Sequence, residues 1–201
     1  MTNRAQRAAT KAVRSATEFV AERVASSDRM MSVVYDLING SNFAGLEAHE
    51  EMLSDRVRVE AYHRGIQRNV QAGDVVLDLG TGTGLLAFMA SKAGAKKVYA
   101  VEVQPEVAAL ARQAIAVAVE AGDVPAGLIE VHEGFSTALE LPELVDLLVA
   151  EIVGSVASGE GIYATMHDAQ QRLMRRPYEA DSYIPRAVET WCAPMSYAQQ
   201  H

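Results

Sequence analysis

Three observations predict a doubly wound α/β domain with a mainly parallel sheet and helices ahead of it. Apolar runs of strand length alternate along the chain with stretches of good helix formers. The run Val75-Val76-Leu77 leads, through Asp78 and Leu79, into Gly80-Thr81-Gly82-Thr83-Gly84, and that glycine turn opens a helical stretch from Leu85 to Lys92. Glu102 then closes the next apolar run, twenty residues after Gly82. Strand, glycine loop, helix and strand make a Rossmann-like unit, with an acid placed where a ribose hydroxyl would be held.

Taken in order, residues 1–30 form an amphipathic helical extension. Arg4, Arg7, Lys11 and Arg14 recur at helical spacing, opposite an apolar side that includes Ala8, Ala12, Phe19 and Val20. Such an acid-poor start has the composition of an organelle transit peptide, but a helix lying on the domain with its basic face in water is the simpler account. Turn chemistry at Ile38-Asn39-Gly40-Ser41-Asn42 follows. The main domain spans 31–186. Its first helix is expected over His49–Asn69, with Met52, Val57, Val59 and Tyr62 as an apolar stripe. Gly73-Asp74 turns into the first strand, Gly94 ends the next helix, and Lys96–Val101 is the second strand. Pro105 starts a long Ala/Val-rich helix to about Ala121, closed by Gly122-Asp123. Leu128–His132 and Val145–Ala150 read as the third and fourth strands, and a helix is expected over Gly161–Met174. The alternation in AVETWCA, Ala187–Ala193, predicts a last strand within a C-terminal segment, 187–201.

Composition narrows the function classes. The chain has 201 residues, enough for one domain with a sizeable core. A net charge of −8 argues against general affinity for nucleic acid or membrane surfaces. The single cysteine, Cys192, fits a reducing compartment, here expected to be the cytoplasm, and leaves no thiolate cluster for zinc. No run has the length of a transmembrane helix.

The glycine motif departs from the dinucleotide fingerprint in being G-x-G-x-G, and Asp78 stands two residues before its first glycine. A carboxylate at the mouth of the site repels a pyrophosphate and attracts a cofactor carrying an ammonium and a sulfonium. S-adenosyl-L-methionine is therefore favoured over a nicotinamide or flavin dinucleotide. A second constellation follows the fourth strand, in Glu151-Ile-Val-Gly-Ser-Val-Ala-Ser-Gly-Glu160. Glu151 stands at a strand's carboxyl end, where open α/β sheets bind ligands. Gly154, Gly159 and Gly161 let the segment fold back so that Glu160 joins it. Paired carboxylates can serve as a general acid/base pair, a metal site or a clamp for a cation. Two such glutamates on a Gly/Ser loop are also commonly just solvated. A guanidinium would suit the pair, because its fork matches carboxylates bidentately.

HEEML before the sheet, LDLGTGTGLL, VYAVE and the Glu151–Glu160 loop, in that order, resemble the protein arginine methyltransferases from about Tyr35 to Met195. The resemblance implies a class I S-adenosylmethionine-dependent fold and a set of roles. Arg58 would bind the cofactor's carboxylate and Asp78 its amino group, with Gly80, Gly82 and Gly84 lining it. Glu102 would take the ribose hydroxyls, and Ser136 and Thr137 would flank the adenine. Glu151 and Glu160 would grip the substrate guanidinium, with Met52 near the reacting nitrogen. Several positions depart from the family: Ile152-Val153 stand in place of Trp-Met, and Thr137 in place of an acid. The family's C-terminal β-barrel has no counterpart after Trp191, and Asp55 matches an acid that pairs with a histidine of that barrel.

The expected function is methyl transfer to a guanidino nitrogen of arginine, in a protein or a small molecule. A homo-oligomer or a partner chain would complete the site. Two alternatives stand beside it: a small-molecule N-methyltransferase with a non-guanidino substrate, and a weakly active cofactor-binding module that needs a partner chain.

Overall fold

The computed structural model of the protein describes residues 55–153 and 162–193. The N-terminal extension, the 38–42 turn, Met52 and the 154–161 segment with Glu160 lie outside the described residues. The described elements are α1 (Arg56–Asn69), β1 (Val75–Leu79), α2 (Leu85–Lys92), β2 (Lys97–Glu102), α3 (Pro105–Glu120), β3 (Ile129–Glu133), β4 (Leu147–Ala150), α4 (Ile162–Arg172) and β5 (Tyr183–Ile184). Short 3₁₀ turns occupy Ser136–Ala138 and Ala180–Ser182.

The five strands lie in the order β3-β2-β1-β4-β5, and every neighbouring pair is parallel. The chain builds outward from β1 through β2 to β3, then returns to place β4 on β1's other side. The strand order therefore reverses between β1 and β4, and the crevice beyond their carboxyl ends is where such sheets take ligands.

All five residues of β1 are buried, as a strand covered on both faces requires. Its pleat divides them. Val76 joins the core formed with α1, α2 and α3, which includes Ile66, Met89, Val98, Leu110 and Val149. Val75, Leu77 and Leu79 join the core on the other face, with Tyr99, Val101, Leu148, Ala169 and Leu173. Asp78 shares its side with Val76, and Glu102 shares its side with Val98 and Ala100, by the period-two rule. Both acids thus fall on the face that α1, α2 and α3 cover.

Two expectations are corrected. The first helix does not run unbroken from His49. Asp55 has non-helical backbone angles and accepts the Arg58 amide at 3.0 Å, so it caps a helix that starts at Arg56. The last strand among the described residues is not Ala187–Ala193 but Tyr183–Ile184, paired with Leu148 and Val149. Pro185 supplies no amide to continue that ladder, and residues 186–193 are exposed with no strand among them. Alternation without a neighbouring edge does not make a strand.

Leu77 is fully buried in the central strand. Leu77→Ala is expected to cost about 2–5 kcal/mol of unfolding free energy, measured by urea denaturation of the whole chain.

Candidate cofactor and substrate site

The turn after β1 is fastened to the neighbouring strand. The amides of Gly80 and Thr81 both donate to the Val101 carbonyl at 2.9 Å. Gly80, Gly82 and Gly84 take φ of 71°, 56° and 88°, a region that side-chain-bearing residues avoid. A Cβ on Gly80 would also lie 2.6 Å from Ile152 Cγ2, so the segment after β4 passes directly over the turn.

Glu102 reaches back from the end of β2. Its Oε2 accepts the Gly82 amide at 3.0 Å, and its Oε1 accepts the Gln104 amide at 2.9 Å. The carboxylate is buried, yet each oxygen has capacity for a further donor. Besides the ribose role implied by resemblance, Glu102 therefore holds the shape of the glycine turn.

Asp78 is not at the mouth of the site. It is fully buried beneath the turn, and its Oδ2 accepts the Thr81 hydroxyl at 2.6 Å. The pleat directs it under α2, and the loop folds over it. Its Oδ1 is buried with no hydrogen-bond partner among the described residues. Burial pushes its carboxyl up to about 7, and the Glu102 charge adds to that rise. The Thr81 hydroxyl and the Ala87 amide offset it only in part.

An open cavity lies beside the turn. It is lined by Arg58, Val59 and Tyr62 of α1, by Gly80 to Thr83, by Leu85 and Leu86 of α2, and by Glu151 after β4. Arg58 spans it. Its Nε lies 3.3 Å from Asp55 Oδ2, and its Nη1 lies 3.5 Å from Glu151 Oε1. Asp55 thus pairs with the cavity's arginine. Tyr62 donates to the Ala150 carbonyl at 2.9 Å and ties α1 to the end of β4. Burial first, then the nearby Glu151 charge, raises its phenol well above the ordinary range, so it stays a donor.

The structure brings Arg58, Gly80, Gly82 and Glu151 to one cavity, with Asp78 and Glu102 behind it. Ser136 and Thr137 stand apart from that lining, in the 3₁₀ turn after β3. Gly134, just before them, donates to the Glu102 carbonyl at 2.8 Å, which places their loop beside the end of β2. Met52 and Glu160 are outside the described residues. Thr81 has no role among the expectations from sequence, and Tyr62 belongs by its spacing only to an apolar stripe. A hydroxyl three residues after Asp78 was a readable signal for Thr81; nothing local signalled the Tyr62–Ala150 bond.

Solved structures of arginine methyltransferases share this architecture. Arabidopsis thaliana protein arginine methyltransferase 10, described in an open conformation, matches with a TM-score of 0.57 at 36% identity, covering 65% of this chain and 36% of that one. The Trypanosoma brucei PRMT1 enzyme–prozyme heterotetrameric complex with AdoHcy matches with a TM-score of 0.58 at 33% identity, covering 68% of this chain and 41% of that one. The domain has the Rossmann-like fold of the class I methyltransferases. Protein arginine N-methyltransferase PRMT10 of Oryza sativa subsp. japonica is 37% identical over 156 residues, which is 76% of this chain and 38% of that protein. The chain spans 38% of the length of each of the three plant relatives of this name. A family model described as ribosomal protein L11 methyltransferase (PrmA) matches residues 59–159, half of the chain, and the chain belongs to that methyltransferase family. The chain also resembles the catalytic half of the protein arginine N-methyltransferases.

The buried carboxyl of Asp78 sets a pH dependence. A folded-state pKa near 7 lies above the value of about 3.9 in an unfolded chain, so its contribution to stability is fully present below about pH 4. That contribution is lost as pH rises through 7. Asp78→Asn removes the titration. Chemical denaturation at pH 5 and pH 8 should therefore show wild type losing stability relative to the variant as pH rises.

Proposed function

We propose that the chain is an S-adenosyl-L-methionine-dependent methyltransferase that acts on a guanidino nitrogen of arginine, in a protein or a small molecule. The observation that carries this reading is the Arg58–Glu151 ion pair, 3.5 Å long, in the lining of the cavity beside the glycine turn. A fixed cation and a fixed anion in one crevice suit a zwitterionic cofactor and a cationic substrate. The rice, zebrafish and Arabidopsis relatives named as arginine methyltransferases support the same substrate class.

The residues present fit the cofactor. Asp78 Oδ1 is a buried acceptor with no full hydrogen bond among the described residues, and an ammonium reaching it beneath the turn would satisfy it. Both Glu102 oxygens can accept one further hydroxyl beyond the amides they hold. Arg58 would hold the carboxylate, and the glycine turn leaves room for close approach of the chain. When bound, the cofactor supplies a methyl group on a sulfonium, which is electrophilic without any acid.

The protein's task is then to present the nucleophile. An arginine guanidinium does not give up its proton to water at neutral pH, since its pKa is above about 12. Glu151 is anchored at the end of β4, with Arg58 holding its carboxylate in place. With Glu160 it would fix the guanidinium in one orientation and stabilise the positive charge as one nitrogen's lone pair turns outward. Tyr62, kept protonated, holds the α1 wall of this cavity to β4. The heterotetrameric assembly of the Trypanosoma relative supports a homo-oligomer or partner chain as the remaining wall of the substrate site.

Calorimetry should detect S-adenosylmethionine or S-adenosylhomocysteine in preference to NAD. Glu102→Ala should weaken that binding by about 1.5–3 kcal/mol for each charged hydrogen bond lost. Absence of binding to wild type would refute the cofactor assignment. Incubation with labelled cofactor and a panel of guanidino and amino substrates, read by mass spectrometry, tests the substrate. Glu151→Gln should lower turnover by the equivalent of about 2–5 kcal/mol while changing cofactor affinity far less. Methylation confined to non-guanidino amines, or unaltered turnover in that variant, would overturn the guanidine clamp.

A further inference from the structure

The loop that follows β3 is held by one side chain from the far end of α4. Arg172 donates from Nη1 to the Leu139 carbonyl at 2.8 Å, and from Nη2 to the Ser136 and Thr137 carbonyls, both at 3.2 Å. Asp168, one turn earlier on α4, locks the guanidinium from the other side. Its Oδ1 accepts from Nε at 2.9 Å and its Oδ2 from Nη2 at 2.6 Å. The two charges hold each other ionised: this pairing draws the Asp168 carboxyl below its usual range and raises the Arg172 guanidinium. Three carbonyls within four residues are thus gathered onto one planar donor whose orientation is itself fixed.

This is more than surface decoration. An exposed i,i+4 pair alone contributes only about 0.3–0.5 kcal/mol and needs no third partner. Here the guanidinium uses its fork to fold the 136–139 backbone into its turn. That turn begins at Gly134, whose amide is bonded to the Glu102 carbonyl, so it lies at the same strand ends as the ribose-side acid. Arg172 does not line the cavity and acts only through the backbone it holds.

We propose that Arg172 is a positioning residue for the cofactor's adenine. Oriented by Asp168, it sets the 136–139 loop and with it the site's affinity and base selectivity. The inference rests on the reading of this chain as an S-adenosylmethionine-binding methyltransferase with Ser136 and Thr137 beside the adenine. It also gives α4 a double attachment: its last residue holds the cofactor loop, while its first, Ile162, follows closely on the segment that carries Glu160.

The test is calorimetric titration of the full chain with S-adenosylhomocysteine and with S-inosylhomocysteine, which lacks the adenine's amino group. Arg172→Lys keeps the charge opposite Asp168 but cannot bond three carbonyls. It should bind S-adenosylhomocysteine about tenfold more weakly and lose much of the preference for adenine over hypoxanthine. Asp168→Asn, which leaves the guanidinium in place but unlocks it, should move both quantities in the same direction and by less. That variant decides the matter should Arg172→Lys fail the circular-dichroism check for folding. A folded Arg172→Lys with wild-type affinity and selectivity, whatever its melting temperature, would overturn the proposal alone. Wild type that binds no S-adenosylhomocysteine would overturn the cofactor reading, and this proposal with it.

Discussion

The bond from the Gly82 amide to the Glu102 carboxylate, 3.0 Å across the ends of two neighbouring strands, is the contact on which the site depends. It closes a unit in which the turn after β1 is held by β2 twice, once through the Val101 carbonyl and once through this side chain. Without the carboxylate, a buried amide in a left-handed backbone would have no acceptor, a cost of about 1–3 kcal/mol. With it, the turn is rigid enough to start α2 from Gly84 with no side-chain cap. The acid is thereby structural, and amides occupy only part of its accepting capacity.

Charge is distributed around that unit in a way that suits a ligand more than it suits an empty fold. Asp78 and Glu102 both lie on the α1–α3 side of the sheet, and burial of the first makes its ionised form costly near neutral pH. A natural sequence could place an apolar residue at Asp78 and gain stability. A buried carboxylate with one unsatisfied oxygen is instead the kind of strain that binding a cation would relieve. On the opposite wall, Arg58 pairs with both Asp55 and Glu151, so α1 is drawn over the switch point by charge as well as by Tyr62. Arg58, Asp55 and Glu151 are therefore already oriented by one another in the empty fold.

The Arg172 clamp extends the same logic to the loop after β3. Sheet ends supply positions, but the loops beyond them need something to hold them. At β1 and β2 the holder is Glu102; after β3 it is a guanidinium on a helix that arrives some 33 residues later in the chain. One loop is fixed by its neighbouring strand and the other by a helix of the opposite layer.

Much of this was legible from local sequence because its causes are local. The period-two and all-buried patterns, the glycines ahead of Leu85–Lys92 and the acid at the end of the second run fix elements by steric and hydrophobic rules that act within a few residues. Strand β1, helix α2 and the place of Glu102 follow from them. The AVETWCA alternation failed because a strand also needs an edge to pair with, and Pro185 and the chain's course supplied none beyond Ile184. The depth of Asp78 depended on how the turn folds over the pleat, which spacing alone does not state. The partners of Arg58, Tyr62 and Arg172 lie on elements brought close only when the sheet reverses direction at β1 and β4. Sequence by itself determined which chemistry the strand ends carry; the tertiary structure decided which of those groups are buried, paired and facing, because those properties come from contacts between residues far apart along the chain.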